Sequence, residues 1–134
     1  MRNVVLLINP EPLQNYLLRQ MFTEELPALE LMVAEELEEG WRQVRSRRDR
    51  LALVITEKKF EVEDTHQISE EKSGIRFIAQ LHQEFPEVPI LVWTVDMAPG
   101  EARSAGAASC LGKSTEYDLL IAEVQKLLAG GPAS

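Results

Sequence analysis

A single cysteine, Cys110, leaves the chain without an internal disulfide or a cysteine-based zinc site. That scarcity fits a reducing compartment such as the cytoplasm. Histidine is almost as rare: His66 and His82 are the only two, and neither stands near an evident nucleophile, so catalysis by histidine is not expected. No apolar run approaches the roughly 20 residues of a membrane-spanning helix. The opening MRNVVLLINP is too short for a secretory signal and shows no cleavage pattern. Positive charge is in deficit, with 14 basic against 22 acidic residues and a net charge of −8, which argues against nucleic acid as a partner. There is no internal repeat, and 134 residues suit one domain.

What is present is a series of short apolar runs, each followed by an amphipathic stretch. In Gly74 to Asp96, the residues Phe77, Ile78, Leu81 and Phe85 recur at three- and four-residue intervals and form one helical stripe. Pro86 and Pro89 bracket the helix exit, and Ile90 to Trp93 then run apolar without alternation. A strand apolar on both faces belongs inside a parallel sheet covered by helices on both sides. Val4 to Ile8 and Leu51 to Ile55 repeat the pattern, and Leu31 to Ala34 and Ala108 to Leu111 are shorter candidates.

The intervening stretches read as helices. Pro12 suits a first helical turn, with Leu13, Leu17, Leu18, Met21 and Phe22 as the apolar stripe. From Glu35 to Arg50 acids precede arginines, the order a helix dipole favours, and Leu37, Trp41 and Val44 give a narrow inner face. The arginines could form a binding patch or a solvated helix end. Glu101 to Ala105 allows only a short helix. Thr115 and Asp118 have capping-box spacing before a stripe of Leu120, Ile121, Val124, Leu127 and Leu128. The polar segment from Glu57 to Ser73 is long for a strand-to-helix connection. Phe60 and Val62 alternate with charged residues there, so a short edge strand is possible. Residues 131–134 read as a tail or the start of a linker. Gly106 to Thr115 lacks the spacing of a phosphate-binding loop, and Cys110 reads as a small buried apolar residue.

Five strand-helix units with buried strands predict an α/β fold, a doubly wound, flavodoxin-like parallel sheet of order 2-1-3-4-5 with helices on both faces. The segments NVVLLINPEPLQNYLL, GIRFIAQLHQEFPEVPILVWT and AGAASCLGKS together resemble bacterial two-component receiver domains of the CheY-like type. In that family an aspartate at the end of the third strand accepts a phosphoryl group, aided by magnesium on an acidic pair after the first strand. A Ser/Thr hydroxyl and a lysine complete the set. The resemblance places the hydroxyl at Thr94 and the lysine at Lys113. It places the acidic pair at Asn9 and Pro10, with only Glu11 following, and the nucleophile at Thr56 or Ile55. The family's switch aromatic falls on Cys110 and its proline after the lysine on Ser114.

A receiver without nucleophile, metal pair or switch aromatic implies a pseudo-receiver: no catalysis, no cofactor, and a role as a protein-protein interaction module in signal transduction. A protein partner is expected, and a homodimer is possible. The family's usual contact face is built from the fourth helix, fifth strand and fifth helix. The segment 57–73 is the more distinctive surface, with Phe60, Val62, His66 and Ile68 as its candidate contacts and a positively charged partner to match. Two alternatives remain open: an atypical receiver with a phosphoacceptor at Glu57, Asp96 or Thr56 or a magnesium site rebuilt from Glu11, Glu57 and Asp96, and a small-ligand site at the same sheet edge. If no such site exists, Lys113 pairs with one of those acids.

Overall fold

The computed structural model describes residues 2–60, 70–95 and 99–130. Five parallel strands, β1 (Val4–Ile8), β2 (Glu30–Ala34), β3 (Leu51–Thr56), β4 (Ile90–Thr94) and β5 (Ser109–Gly112), form one sheet in the order β2-β1-β3-β4-β5. The helices are α1 (Pro12–Glu25), α2 (Leu37–Ser46), α3 (Glu70–Glu84), α4 (Pro99–Ala105) and α5 (Tyr117–Leu128). The doubly wound architecture and its strand order agree with the sequence-based expectation.

Continuous apolar strands create two cores, because successive side chains point to opposite faces. Val4, Leu6, Ile8, Val54, Ile90 and Val92 meet Val44 of α2, Phe77, Ile78 and Leu81 of α3, and Ala102 of α4. On the other face Val5, Leu7, Leu53, Ile55, Leu91 and Trp93 meet Leu18 and Phe22 of α1 and Leu120, Ile121 and Val124 of α5. Register then fixes which residues share the carboxyl edge, the rim where the strands end. Ile8 stands opposite Ala34 and Thr56, Thr56 opposite Val92, and Thr94 opposite Gly112. Asn9, Glu57 and Lys113 each follow a strand on that rim.

Four expectations need correction. The long connection is shorter than read: α3 begins at Glu70, a turn before Gly74, and residues 57 and 58 are buried. Phe60 is 6% exposed and belongs to the α2-α3 core, so it is packing and not a contact surface. Its anchor is close chain approach: a Cβ on Gly74 would lie 1.9 Å from the Lys58 carbonyl oxygen, so only glycine lets α3 pack against that backbone. Val62, His66 and Ile68 lie outside the described residues.

The α1 stripe is also rotated from its expected phase. Leu18 and Phe22 are buried, but Leu13 and Leu17 are 68% and 42% exposed, and the polar Asn15 faces inward instead. Finally, α5 starts at Tyr117 with Glu116 as its N-cap and no side-chain cap bond, so Thr115 and Asp118 do not form a capping box.

The arginines of α2 and of the turn after it are spent largely on local contacts. Arg42 pairs with Glu39, and Arg50 donates to Glu30 at 2.8 Å. Arg45 lies 4.7 Å from the Trp41 ring centre and Arg48 5.4 Å from that of Phe85. Cys110 is buried in the α2-α3 core.

Phe60→Ala is expected to cost about 3 to 5 kcal/mol, as truncations of buried aromatics do. Leu13→Ala, at an exposed position, should stay within about 0.5 kcal/mol of the parent. Urea unfolding of the two variants measures both, and a silent Phe60→Ala would contradict the burial of that segment.

Candidate functional site

The carboxyl edge is organised by one cation. Lys113 leaves the end of β5, where its backbone N-H donates to the Thr94 carbonyl at 2.8 Å, and its side chain turns inward. Nζ lies 3.0 Å from Glu57 Oε1, with the two side chains only 5% and 3% exposed. The same ammonium donates to Asn9 Oδ1 and sits 5.2 Å from the centre of the Trp93 ring, whose π face favours a cation.

Glu57 is held from both ends. Oε1 takes the lysine, while Oε2 accepts the backbone N-H groups of Lys58 at 2.8 Å and Lys59 at 3.0 Å. Its own N-H donates to the Ile8 carbonyl at 3.0 Å, extending the β1-β3 ladder one residue past the strand. A buried carboxylate survives only when its lone pairs are satisfied in this way.

Asn9, fully buried, carries the network to α1. Its Nδ2 donates to Asn15 Oδ1 at 2.9 Å and to Gln14 Oε1 at 3.2 Å, and Asn15 Nδ2 returns a bond to the Asn9 carbonyl at 2.9 Å. Pro12 in the first turn of α1 starts that helix close enough for Asn15 to reach back.

Of the residues singled out in the sequence, Asn9, Glu57 and Lys113 come into direct contact, Glu57 being the one of the three acids offered that pairs with the lysine, and Thr94 ends the neighbouring strand, fully buried. Thr56 is buried but turned away, its hydroxyl donating to the Glu57 carbonyl at 2.8 Å. The carboxylate of the third strand's end is therefore Glu57, one residue beyond the expected position, and the edge is not empty of acid. Glu11 is exposed at the N-cap of α1, Pro10 offers no side-chain donor, and Asp96 lies outside the described residues. Ile55 is part of the α1-α5 core.

Among the described residues a magnesium site is incomplete. The oxygens of Asn9 and Glu57 that would face it already share the Lys113 ammonium, and the second acidic position is proline. Among the described residues no group of three His, Cys, Asp or Glu could hold a metal. His82 is exposed on α3, with its ring where a Cβ on Gly106 would fall.

Sequence reasoning missed Asn15, Gln14 and the ring under the lysine. Trp93 is buried with its indole N-H unpaired, and it meets Tyr117 edge-on at 5.7 Å. The one available signal was Glu57 itself, the first charge after an unbroken buried strand.

The fold is similar to that of solved response-regulator receiver domains. The chain superposes on a LuxR-family two-component response regulator from Aurantimonas sp. SI85-9A1 with a TM-score of 0.78 at 19% identity, covering 98% of this chain and 88% of that one. A response regulator from Thermotoga maritima gives 0.76 at 16% identity, covering 96% and 99%. The isolated REC domain of RcsB from Salmonella enterica serovar Typhimurium, solved in the presence of phosphomimetic BeF3-, gives 0.73 at 15% identity, covering 98% and 91%. No protein-family model and no curated protein matches the sequence.

Removing one member of a buried ion pair strands the other, so Lys113→Met and Glu57→Gln should each cost about 3 to 5 kcal/mol. The Glu57→Gln/Lys113→Met double variant should lose less than the sum of the two, because no unpaired charge remains. A urea double-mutant cycle reads this, and strict additivity would show that the pair is not coupled. At the alkaline end, burial raises the Tyr117 phenol above its usual 10.0. The unfolded chain then releases that proton first, so stability should be intact below about pH 10 and fall as pH rises through the folded value. Tyr117→Phe should flatten that limb of the melting-temperature profile.

Proposed function

We propose that the chain is a pseudo-receiver: a phosphorylation-independent, non-enzymatic protein-interaction module of bacterial signal transduction, working in the cytoplasm. The observation that carries this reading is that both oxygens of Glu57 are already engaged. An acyl phosphate forms only when a carboxylate oxygen is free to attack and a divalent cation offsets the phosphoryl charge. Here one oxygen is held by Lys113 and the other by two backbone N-H groups. Asn9 supplies an amide where a magnesium ligand would need charge, and the lysine neutralises Glu57 without a metal.

The fold's relatives support the signalling context. Two of the similar structures are described as LuxR-family response regulators, one of them as DNA-binding. No DNA-binding role is carried over to this chain, because its net charge of −8 opposes it. No helix among the described residues is long and apolar enough to cross a membrane.

One observation favours a second reading. Glu57 is a carboxylate beside a lysine at the edge where receivers are modified, so an atypical acceptor is chemically conceivable. Exposure to magnesium with acetyl phosphate, or with beryllofluoride, followed by intact mass and amide NMR, separates the two. The expected result is no added phosphoryl mass and no saturable shift around Thr94 and Lys113. A labile acyl phosphate on Glu57 would overturn the proposal.

A further inference from the structure

The densest positive charge lies at the other end of the molecule. Residues 42–50 hold five arginines against one acid, Asp49, in a chain whose net charge is −8. They run from the last turns of α2 into the turn before β3, at the amino edge of the sheet and opposite the rim that carries Lys113. A solvated helix end needs only loose side chains, but two of these are held in place. Arg45 lies over the Trp41 ring and Arg48 over the Phe85 ring, 4.7 and 5.4 Å from the ring centres. Stacking engages the face of a guanidinium and leaves the N-H donors around its edge open. Both arginines are exposed, and among the described residues neither has a carboxylate partner, unlike Arg42 with Glu39 and Arg50 with Glu30. A groove of about 600 Å³ runs along this face, lined by Glu38, Trp41, Arg42, Arg45 and Ser46.

Acids close the patch on its flanks. Glu35, Glu36 and Glu38 are exposed at the start of α2, a helix of ten residues and so about 15 Å long. Glu84 and Glu87 are exposed on either side of Phe85, and Glu87 lies 3.6 Å from Arg2. A nucleic acid or the plane of an anionic membrane would carry its charge across those carboxylates, within about two Debye lengths of the arginines. A short acidic stretch of polypeptide would fit between them.

We infer that the arginine face at the end of α2 docks a short acidic segment of a partner protein, whose carboxylates are taken by the edges of Arg45 and Arg48. A planar fork pairs with a carboxylate through two parallel bonds, which is stronger and more directional than contact with a point charge. A guanidinium already seated on a ring also loses less freedom on binding. This inference rests on the interaction-module reading, gives it a surface away from the Lys113 edge, and calls for the opposite charge to that expected of a partner for residues 57–73.

The test is an amide NMR titration of the full chain with two synthetic peptides of one sequence, the first carrying a run of glutamates and the second glutamines in their place. The glutamate peptide should shift Trp41, Arg45 and Arg48 and bind at least about ten-fold more tightly, an advantage that added salt reduces. Arg45→Gln/Arg48→Gln should weaken it by about ten-fold or more with the amide spectrum otherwise intact. Arg103→Gln/Lys126→Gln, the same change in net charge elsewhere, should leave it as it was. Equal binding of both peptides, no saturable shift up to about 1 mM, or an Arg45→Lys/Arg48→Lys variant that binds like the parent would overturn the inference. So would tighter binding of oligouridylate or of phosphatidylserine vesicles, or self-association in sedimentation that Arg45→Gln/Arg48→Gln abolishes, since each assigns the face to another occupant. Repeating the titration with magnesium and beryllofluoride keeps the two proposals apart. Docking that appears only then upholds the face and removes phosphorylation independence, whereas no docking in either condition removes the face alone.

Discussion

The ammonium of Lys113 is shared by an oxygen from the end of β1 and an oxygen from the end of β3, and the rest of the carboxyl edge is built around that sharing. Three strands, of which β5 has no ladder with the other two, are tied at their tips by one charge. Burying such a pair costs several kcal/mol of desolvation for each ion. The cost is offset because both lone pairs of Glu57 Oε2 find backbone N-H groups and because an aromatic face lies beneath the cation. A pair held in this way fastens the edge.

The same contacts reach into the polypeptide on either side. Glu57 fixes the amides of the next two residues, which positions Lys58 against Gly74 and sends Phe60 down between α2 and α3. In the other direction Asn9 passes the constraint to Asn15 and Gln14. The edge therefore sets where two helices begin, not merely what chemistry it can host.

Strand order and the identity of the buried strands were legible in the sequence because unbroken apolar runs admit one environment, the middle of a parallel sheet. The stripe Phe77, Ile78, Leu81, Phe85 was equally plain, and all four are buried. Which of Glu11, Glu57 and Asp96 would meet Lys113 was not. Counting residues puts Thr56 at the end of β3, and only the ladder bond from Glu57 to Ile8 shows that the rim runs one residue further. Phe60 misled for a related reason: alternation with lysine and glutamate looks like an exposed edge, whereas close approach of Gly74 to Lys58 draws the aromatic into the core. Neither close approach nor a side-chain network leaves a periodic mark.

The exposed leucines of α1 follow from the polar network. An α-helix advances about 100° per residue, so with Asn15 pointing to the sheet, Leu18 and Phe22 fall within about 60° of it. Leu13 and Leu17 fall about 160° from it in either direction, on the far side. Periodicity by itself had favoured turning those leucines inward, and burial of two leucines is worth more than that of one amide. The amide wins because Asn9 is already committed to Lys113: turning Asn15 outward would leave a buried amide half-satisfied beside a buried charge. The site therefore dictates the phase of α1, and the phase of α1 places an apolar stripe in solvent. A buried polar edge and an exposed apolar stripe are two results of one set of hydrogen bonds.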